Sequence, residues 1–140
     1  GERKLGGILI ELRGEDATGM TAIIGIGLNV TAAPPADAPL RTPADCLQRV
    51  AARPLSRNAV AAAVIESVFD MLPVFAEDGF APFRERWLAA DVALGRRVHI
   101  DTGAGNLSGR VCGVDHDGAL LLEQGGRAQR ILAGDVSLQL

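Results

Sequence analysis

Cysteine is scarce in this chain. Only Cys46 and Cys112 occur, far apart and without a second pair, which is too few for the disulfide frame of a secreted scaffold and too few for a zinc knuckle. Neither has a recognisable base partner, so both are read as small buried hydrophobes, and a reducing cytoplasm is the expected compartment. Basic charge is also short, with 14 Lys and Arg against 17 Asp and Glu and a formal net charge of -3. No broad basic face is available to hold a phosphate backbone. No aromatic residue follows Trp87, which removes the stacking platform an RNA-binding barrel would use. Nucleic acid is therefore disfavoured as a partner. No segment approaches the ~20 apolar residues of a membrane helix, and Gly1-Glu2-Arg3-Lys4 leads into no signal-type apolar stretch. The expectation is a chain that stays in solution. His99 and His116 fall in different short elements, so no metal site is expected.

What is present suits a globular chain: 140 residues, 48% hydrophobic and 22% charged, enough for one core or two small ones. Between Leu5 and Leu12, Ile8, Ile10 and Leu12 alternate with Leu9 and Glu11, the period of a half-buried strand. Turn residues from Arg13 to Gly19 follow, then a second alternating run from Thr21 to Val30, so an antiparallel pair is expected. Pro34, Pro35, Pro39, Pro43 and Pro54 make residues 31–55 a loop, with room for a short helix over Ala44 to Ala52.

Ser56 can cap a helix whose apolar positions Val60, Val64, Val68, Leu72 and Phe75 recur at helical spacing until Gly79 stops it. Pro73 inside that pattern should kink the helix or shift its end. A shorter helix follows Phe80, with Pro82 in its first turn and Phe83, Trp87 and Leu88 on one side; Trp87 is assigned to core packing. After Asp91 the texture changes to short strands at Val98 to Ile100, Leu107 to Val114, Ala119 to Gln124, Ala128 to Leu132 and Val136 to Leu138. Asp117-Gly118 and Gly125-Gly126 suit tight hairpin turns, and five short strands of this kind predict a small SH3-like barrel.

The chemistry is most legible from Ile23 to Asn29. Alternation sends Ile24, Ile26, Leu28 and Val30 to one face and leaves Gly25, Gly27 and Asn29 on the other. Glycines weaken a strand interior, so this bare face suggests that another backbone or a flat ligand approaches closely, with Asn29 offering donors and an acceptor. Glycines in strands also mark bulges or tight crossings, and spacing alone rates the two readings evenly. The dinucleotide fingerprint fails, because Val30 stands where the third glycine belongs, and there is no P-loop. Lys4, beside Gly6-Gly7, could neutralise a carboxylate or phosphate, although a lone lysine is more often a solvated surface residue.

Taken together, Arg3-Lys4-Leu5-Gly6-Gly7-Ile8-Leu9-Ile10-Glu11-Leu12 and Ile24-Gly25-Ile26-Gly27-Leu28-Asn29-Val30 resemble the biotin protein ligase family in wording and spacing. The resemblance continues more weakly through the proline loop, the Phe80 to Trp87 helix and Leu94-Gly95-Arg96-Arg97-Val98. It implies an α+β chain: residues 1–91 as the second half of a mixed sheet with helices related to class II aminoacyl-tRNA synthetases, and residues 92–140 as the SH3-like barrel. It implies a two-step acyl transfer, in which biotin and ATP with Mg2+ give biotinyl-5'-AMP and a lysine of a biotin carboxyl carrier protein then takes the biotin. Lys4 matches the family lysine beside the biotin carboxylate and adenylate phosphate, and is the implied catalytic residue. Gly7, Ile8 and Leu9 match contacts along biotin and the nucleotide, Gly25 and Gly27 line the floor, and Asn29 matches an asparagine that contacts the nucleotide.

Residues 31–47 fall where the family has a loop that folds over the adenylate and shields it from water. Some relatives place a tryptophan there; this sequence has none, leaving Leu40 or Leu47 to cover the adenine. The family's Gly-Arg-Gly-Arg-x-Gly loop and Trp-Pro-Asn-Asp segment do not occur. The expectation is a fragment inactive alone, completed by the missing N-terminal half of the catalytic domain, with a homodimer compatible. From a different class, a noncatalytic protein-binding module built around the barrel is the alternative.

Overall fold

The computed structural model describes residues 3–15, 19–35, 43–102, 105–132 and 134–138. The chain divides into two compact units, Gly1–Ser67 and Val68–Leu140. It is a mixed α+β chain with two antiparallel sheets.

The first unit carries β1 (Gly6–Glu15) and β2 (Gly19–Leu28), paired antiparallel from Gly6 opposite Leu28 to Glu15 opposite Gly19 without a register shift. Residues directly opposite in such a pair share a face. One face therefore holds Gly7, Leu9 and Glu11 with Gly27, Gly25 and Ile23; the other holds Ile8, Ile10 and Leu12 with Ile26, Ile24 and Ala22. Both faces are open, as Ile8 at 69% exposure and Leu9 at 66% make plain. A two-stranded hairpin is marginal by itself, so this ribbon needs more surface to pack on than the described residues of its unit supply. The segment after it returns to the hairpin through a parallel bridge between Lys4 and Ala44. A short 3-10 turn, Leu47–Arg49, lies where a short helix was expected. Leu40 lies outside the described residues.

The long helix α1 runs Arg57–Asp78. Ser56 begins it as its composition predicts, accepting the Ala59 amide on Oγ at 3.3 Å, and Gly79 ends it at φ +67 with its amide on the Phe75 carbonyl. Pro73 does not set the end: the helix continues past it to Asp78. None of its residues is buried, and Phe69 is 70% exposed. Contrary to the reading of the sequence, α1 is long and apolar enough to cross a membrane by length and composition. Glu66 and Asp70 interrupt its apolar runs without lowering the average hydropathy much, so no single unbroken run marks it.

In the second unit, a 3-10 turn over Ala81–Phe83 leads into α2 (Arg84–Ala90). The strands β3 (Arg97–Asp101), β4 (Asn106–Val114), β5 (Leu120–Gln124), β6 (Arg127–Ile131) and β7 (Asp135–Leu138) form one antiparallel sheet in the order β6-β5-β4-β3-β7. Val98, Ile100, Val111 and Leu122 are fully buried at its centre, with Ala93, Leu107, Leu120 and Ile131 around them. α2 packs on β4 through Leu88, whose Cδ2 would stand 2.8 Å from a methyl group at Gly113, and Arg84 Nε donates to the Val114 carbonyl at 2.9 Å. Two expectations are corrected here. Trp87 stays 39% exposed and is not part of the buried core. Cys112 is exposed rather than buried, because it shares the outward face of β4 with Arg110 while Val111 between them points into the core, whereas Cys46 is buried.

Candidate functional site

The face of the hairpin that holds Gly7, Gly25 and Gly27 is the candidate site, and its composition can be tested against ordinary reasons for glycine. None of the three has a positive φ, and the ribbon has no bulge. A methyl group at Gly25 would stand 3.6 Å from the Leu9 carbonyl oxygen, and one at Gly27 would stand 4.0 Å from that of Gly7. Both are ordinary contacts. Gly6 is the contrast: a methyl there would fall 2.2 Å from the Gly27 carbonyl oxygen, so Gly6 is glycine for packing. Gly7, Gly25 and Gly27 carry the cost of glycine in a strand without a conformational or packing cause among the described residues.

Lys4 completes this face. Its side chain runs over Gly7, with Cε 3.8 Å and Nζ 4.0 Å from the place a Gly7 methyl would take. These too are ordinary contacts, and they place the ammonium on the same side as Gly25 and Gly27. Leu9, opposite Gly25, is an apolar side chain on this face. Ile8 is not: it pairs with Ile26 on the far face, so only its backbone can meet a ligand above the glycines.

Asn29 follows β2 and reaches Lys4 by its main-chain neighbourhood. Its Nδ2 donates to the Asp45 carbonyl at 2.9 Å and, at the long limit of 3.4 Å, to the Lys4 carbonyl. Its own amide donates to the Leu5 carbonyl at 2.8 Å, and its carbonyl accepts the Leu47 amide at 2.9 Å. Asp45 went unnoticed in the sequence. Its carboxylate accepts the Cys46 amide at 2.9 Å and meets Arg3 at 3.2 Å and Arg49 at 3.4 Å. The i,i+4 spacing of Asp45 and Arg49 was the only local signal.

Two other polar groupings lie in the second unit. Asp115, His116 and Asp117 are close enough to hold a metal ion, yet Arg130 already engages both carboxylates, Asp115 through Nε and Asp117 through Nη2 at 2.5 and 2.6 Å. Asp115 Oδ1 also accepts the Ala119 amide at 2.9 Å, closing the β4 to β5 turn. The Arg130 guanidinium, more than the neighbouring Asp115, holds the Asp117 carboxyl well below the usual carboxylate range, and the two carboxylates raise Arg130 in turn. This is an ion-pair clasp on a hairpin. A shallow recess of about 290 Å³ is lined by Arg97, Ser108, Gly109, Arg110, Glu123, Gln124 and Gly125.

Comparison with known proteins sets these features in a family. The model of the biotin protein ligase C terminal domain matches residues 93–139. The bifunctional ligase/repressor BirA of Escherichia coli (strain K12) is 33% identical over 138 residues, covering 99% of this chain and 43% of that protein. The biotin--[acetyl-CoA-carboxylase] ligase of Paracoccus denitrificans is 33% identical over 143 residues, covering 95% of this chain and 56% of that protein. Among solved structures, the biotin protein ligase from Aquifex aeolicus in complex with biotin and ATP superposes with a TM-score of 0.79 at 26% identity, over 99% of this chain and 56% of that one. Each of these relatives is by name a ligase, and the solved structure holds biotin and ATP. The chain is thus similar over nearly its whole length to biotin protein ligases, and its residues 93–139 match their C-terminal domain, so it fits the C-terminal portion of such a protein. It spans about half the length of the relatives it matches.

Proposed function

We propose that this chain supplies the second half of a biotin protein ligase active site, in which the glycine face is the floor and Lys4 the cation above an acyl-adenylate. The observation that carries this is the room left at Gly7, Gly25 and Gly27: all three tolerate a methyl group within their own unit, so what requires them bare lies outside the described residues. A flat, anionic substrate fits a surface of exposed backbone with one ammonium at its edge.

The complete enzyme joins biotin to ATP as biotinyl-5'-AMP with release of pyrophosphate, then passes the biotinyl group to a lysine amine of a biotin carboxyl carrier protein. Lys4 Nζ holds the negative charge that gathers on the carbonyl and phosphoryl oxygens, preorganised so that no solvent need rearrange. Gly7 and Ile8 offer backbone, Leu9 an apolar side chain, Gly25 and Gly27 close approach, and Asn29 a remaining carboxamide oxygen. Mg2+ enters with the phosphates of ATP. Residues 1–91 belong to a synthetase-like catalytic domain and residues 92–140 to an SH3-like barrel. The open faces of β1 and β2 and the unburied α1 are surfaces for the rest of that catalytic domain, where an apolar helix is ordinarily packed rather than exposed. The Gly-Arg-Gly-Arg-x-Gly arginines are absent from this sequence, so the chain by itself is inactive, and the cytoplasm is its compartment.

The test is biotin-dependent pyrophosphate release by the full-length protein carrying Lys4→Ala. Losing one preorganised donor of this kind lowers the rate by about 10²- to 10³-fold. An unchanged rate of adenylate formation would remove Lys4 from the site.

A further inference from the structure

We propose that Asn29 is a positioning residue for Lys4, acting through the main chain and in place before any nucleotide binds; this rests on the reading that Lys4 serves the acyl-adenylate. The two groups facing its carboxamide are carbonyl oxygens, of Asp45 at 2.9 Å and of Lys4 at 3.4 Å. Two acceptors can face only the NH2 end, so the orientation of the amide is dictated by its neighbours. The main chain of Asn29 is equally committed, donating to Leu5 and accepting from Leu47.

Three chain segments therefore meet at one side chain: the lysine segment 3–5, the end of β2, and residues 43–48. The first and third are also joined directly, by Lys4 N–H to the Pro43 carbonyl at 2.8 Å and Asp45 N–H to the Lys4 carbonyl at 3.0 Å. The Asp45 carboxylate adds an ion pair to Arg3, the residue before Lys4. Lys4 lies at the edge of a hairpin that buries none of its described side chains, so packing does not hold it. These hydrogen bonds fix the Cα from which Nζ reaches over Gly7, and a catalytic cation displaced by about 1 Å loses much of its effect. Asn29 is suited to this because no other uncharged side chain of its length offers two N–H donors from one atom.

Hydrogen exchange of the full-length, ligand-free protein tests the proposal. Asn29→Ala removes both donors, and Asn29→Asp turns a carboxylate toward two carbonyls; in each, the amides of Lys4 and Asp45 should exchange about 5- to 10-fold faster, the effect of one ordinary side-chain hydrogen bond. Turnover should fall mainly in kcat. If neither variant changes those amides and only the KM for ATP rises, Asn29 is a nucleotide contact and the proposal is overturned. Should both variants fail to fold, the unsubstituted protein decides: slow exchange of the Asn29 carboxamide protons before ligand is added supports the clamp, and fast exchange refutes it. Failure of the ligase reading shows separately, as unchanged activity in Lys4→Ala with the exchange pattern intact.

Discussion

Gly27→Ala adds one methyl group to the glycine face, 4.0 Å from the Gly7 carbonyl oxygen, where nothing in the hairpin resists it. Alanine narrows the unfolded ensemble relative to glycine, so where the native backbone accepts it the fold gains about 0.4–1 kcal/mol. At about 2–4 °C per kcal/mol, that raises Tm by roughly 1–4 °C. A ligand resting on the same backbone meets the methyl as overpacking, which costs about 1–3 kcal/mol and weakens binding by roughly 5- to 150-fold at 1.4 kcal/mol per decade. The prediction is thus a dissociation of two properties that usually fall together. Thermal unfolding and calorimetric titration of the full-length protein with a non-hydrolysable biotinyl-adenylate analogue measure both. Gly6→Ala is the control, since its methyl would collide with the Gly27 carbonyl and must lower stability. Loss of stability in Gly27→Ala, or unchanged affinity, would refute the idea that the face is bare for a ligand.

Other outcomes follow from the second unit. Gly109 is buried between strands, and a methyl there would lie 2.5 Å from the Glu123 carbonyl oxygen and 2.7 Å from Leu122 Cγ; Gly109→Ala should cost about 1–3 kcal/mol, read by urea unfolding. Asp117 has a folded-state pKa below its ordinary 3.8, so its contribution to stability is present above that value and is lost as pH falls through the lower, folded one. Arg130→Met should return the Asp117 carboxyl toward its ordinary titration, followed by NMR, and flatten that acid dependence; an unmoved titration would show that Arg130 is not the cause.

Much of the architecture is local and was legible without coordinates. Gly125-Gly126 makes the tight turn its composition predicts, with both residues at positive φ, whereas at Asp117-Gly118 only Gly118 is so and the connection from Val114 to Leu120 is longer than a two-residue hairpin turn. The strands between them lie within a residue or so of the alternating runs, and Ser56 and Gly79 bound α1 for reasons of capping that involve only their own neighbours. Period-two alternation likewise places Gly25 and Gly27 on one side of their strand, whereas Gly7 joins them only through the register that sets it opposite Gly27.

Other properties came only from the third dimension. Whether Gly7, Gly25 and Gly27 are empty of side chains for packing or for something else is a question of what a methyl would strike, and that is set by the partner strand. Cys112 lies outside because the core takes the face of β4 that holds Val111, and Trp87 stays 39% exposed because the sheet core closes on Val98, Ile100, Val111 and Leu122 without it. Asn29, Lys4 and Asp45 are separated by 25 and 16 residues along the chain, so no periodicity links them. Sequence rules describe interactions within a few residues, where bond geometry limits the choices; the clamp around Lys4 depends on which distant carbonyls arrive at one amide, and only folding decides that.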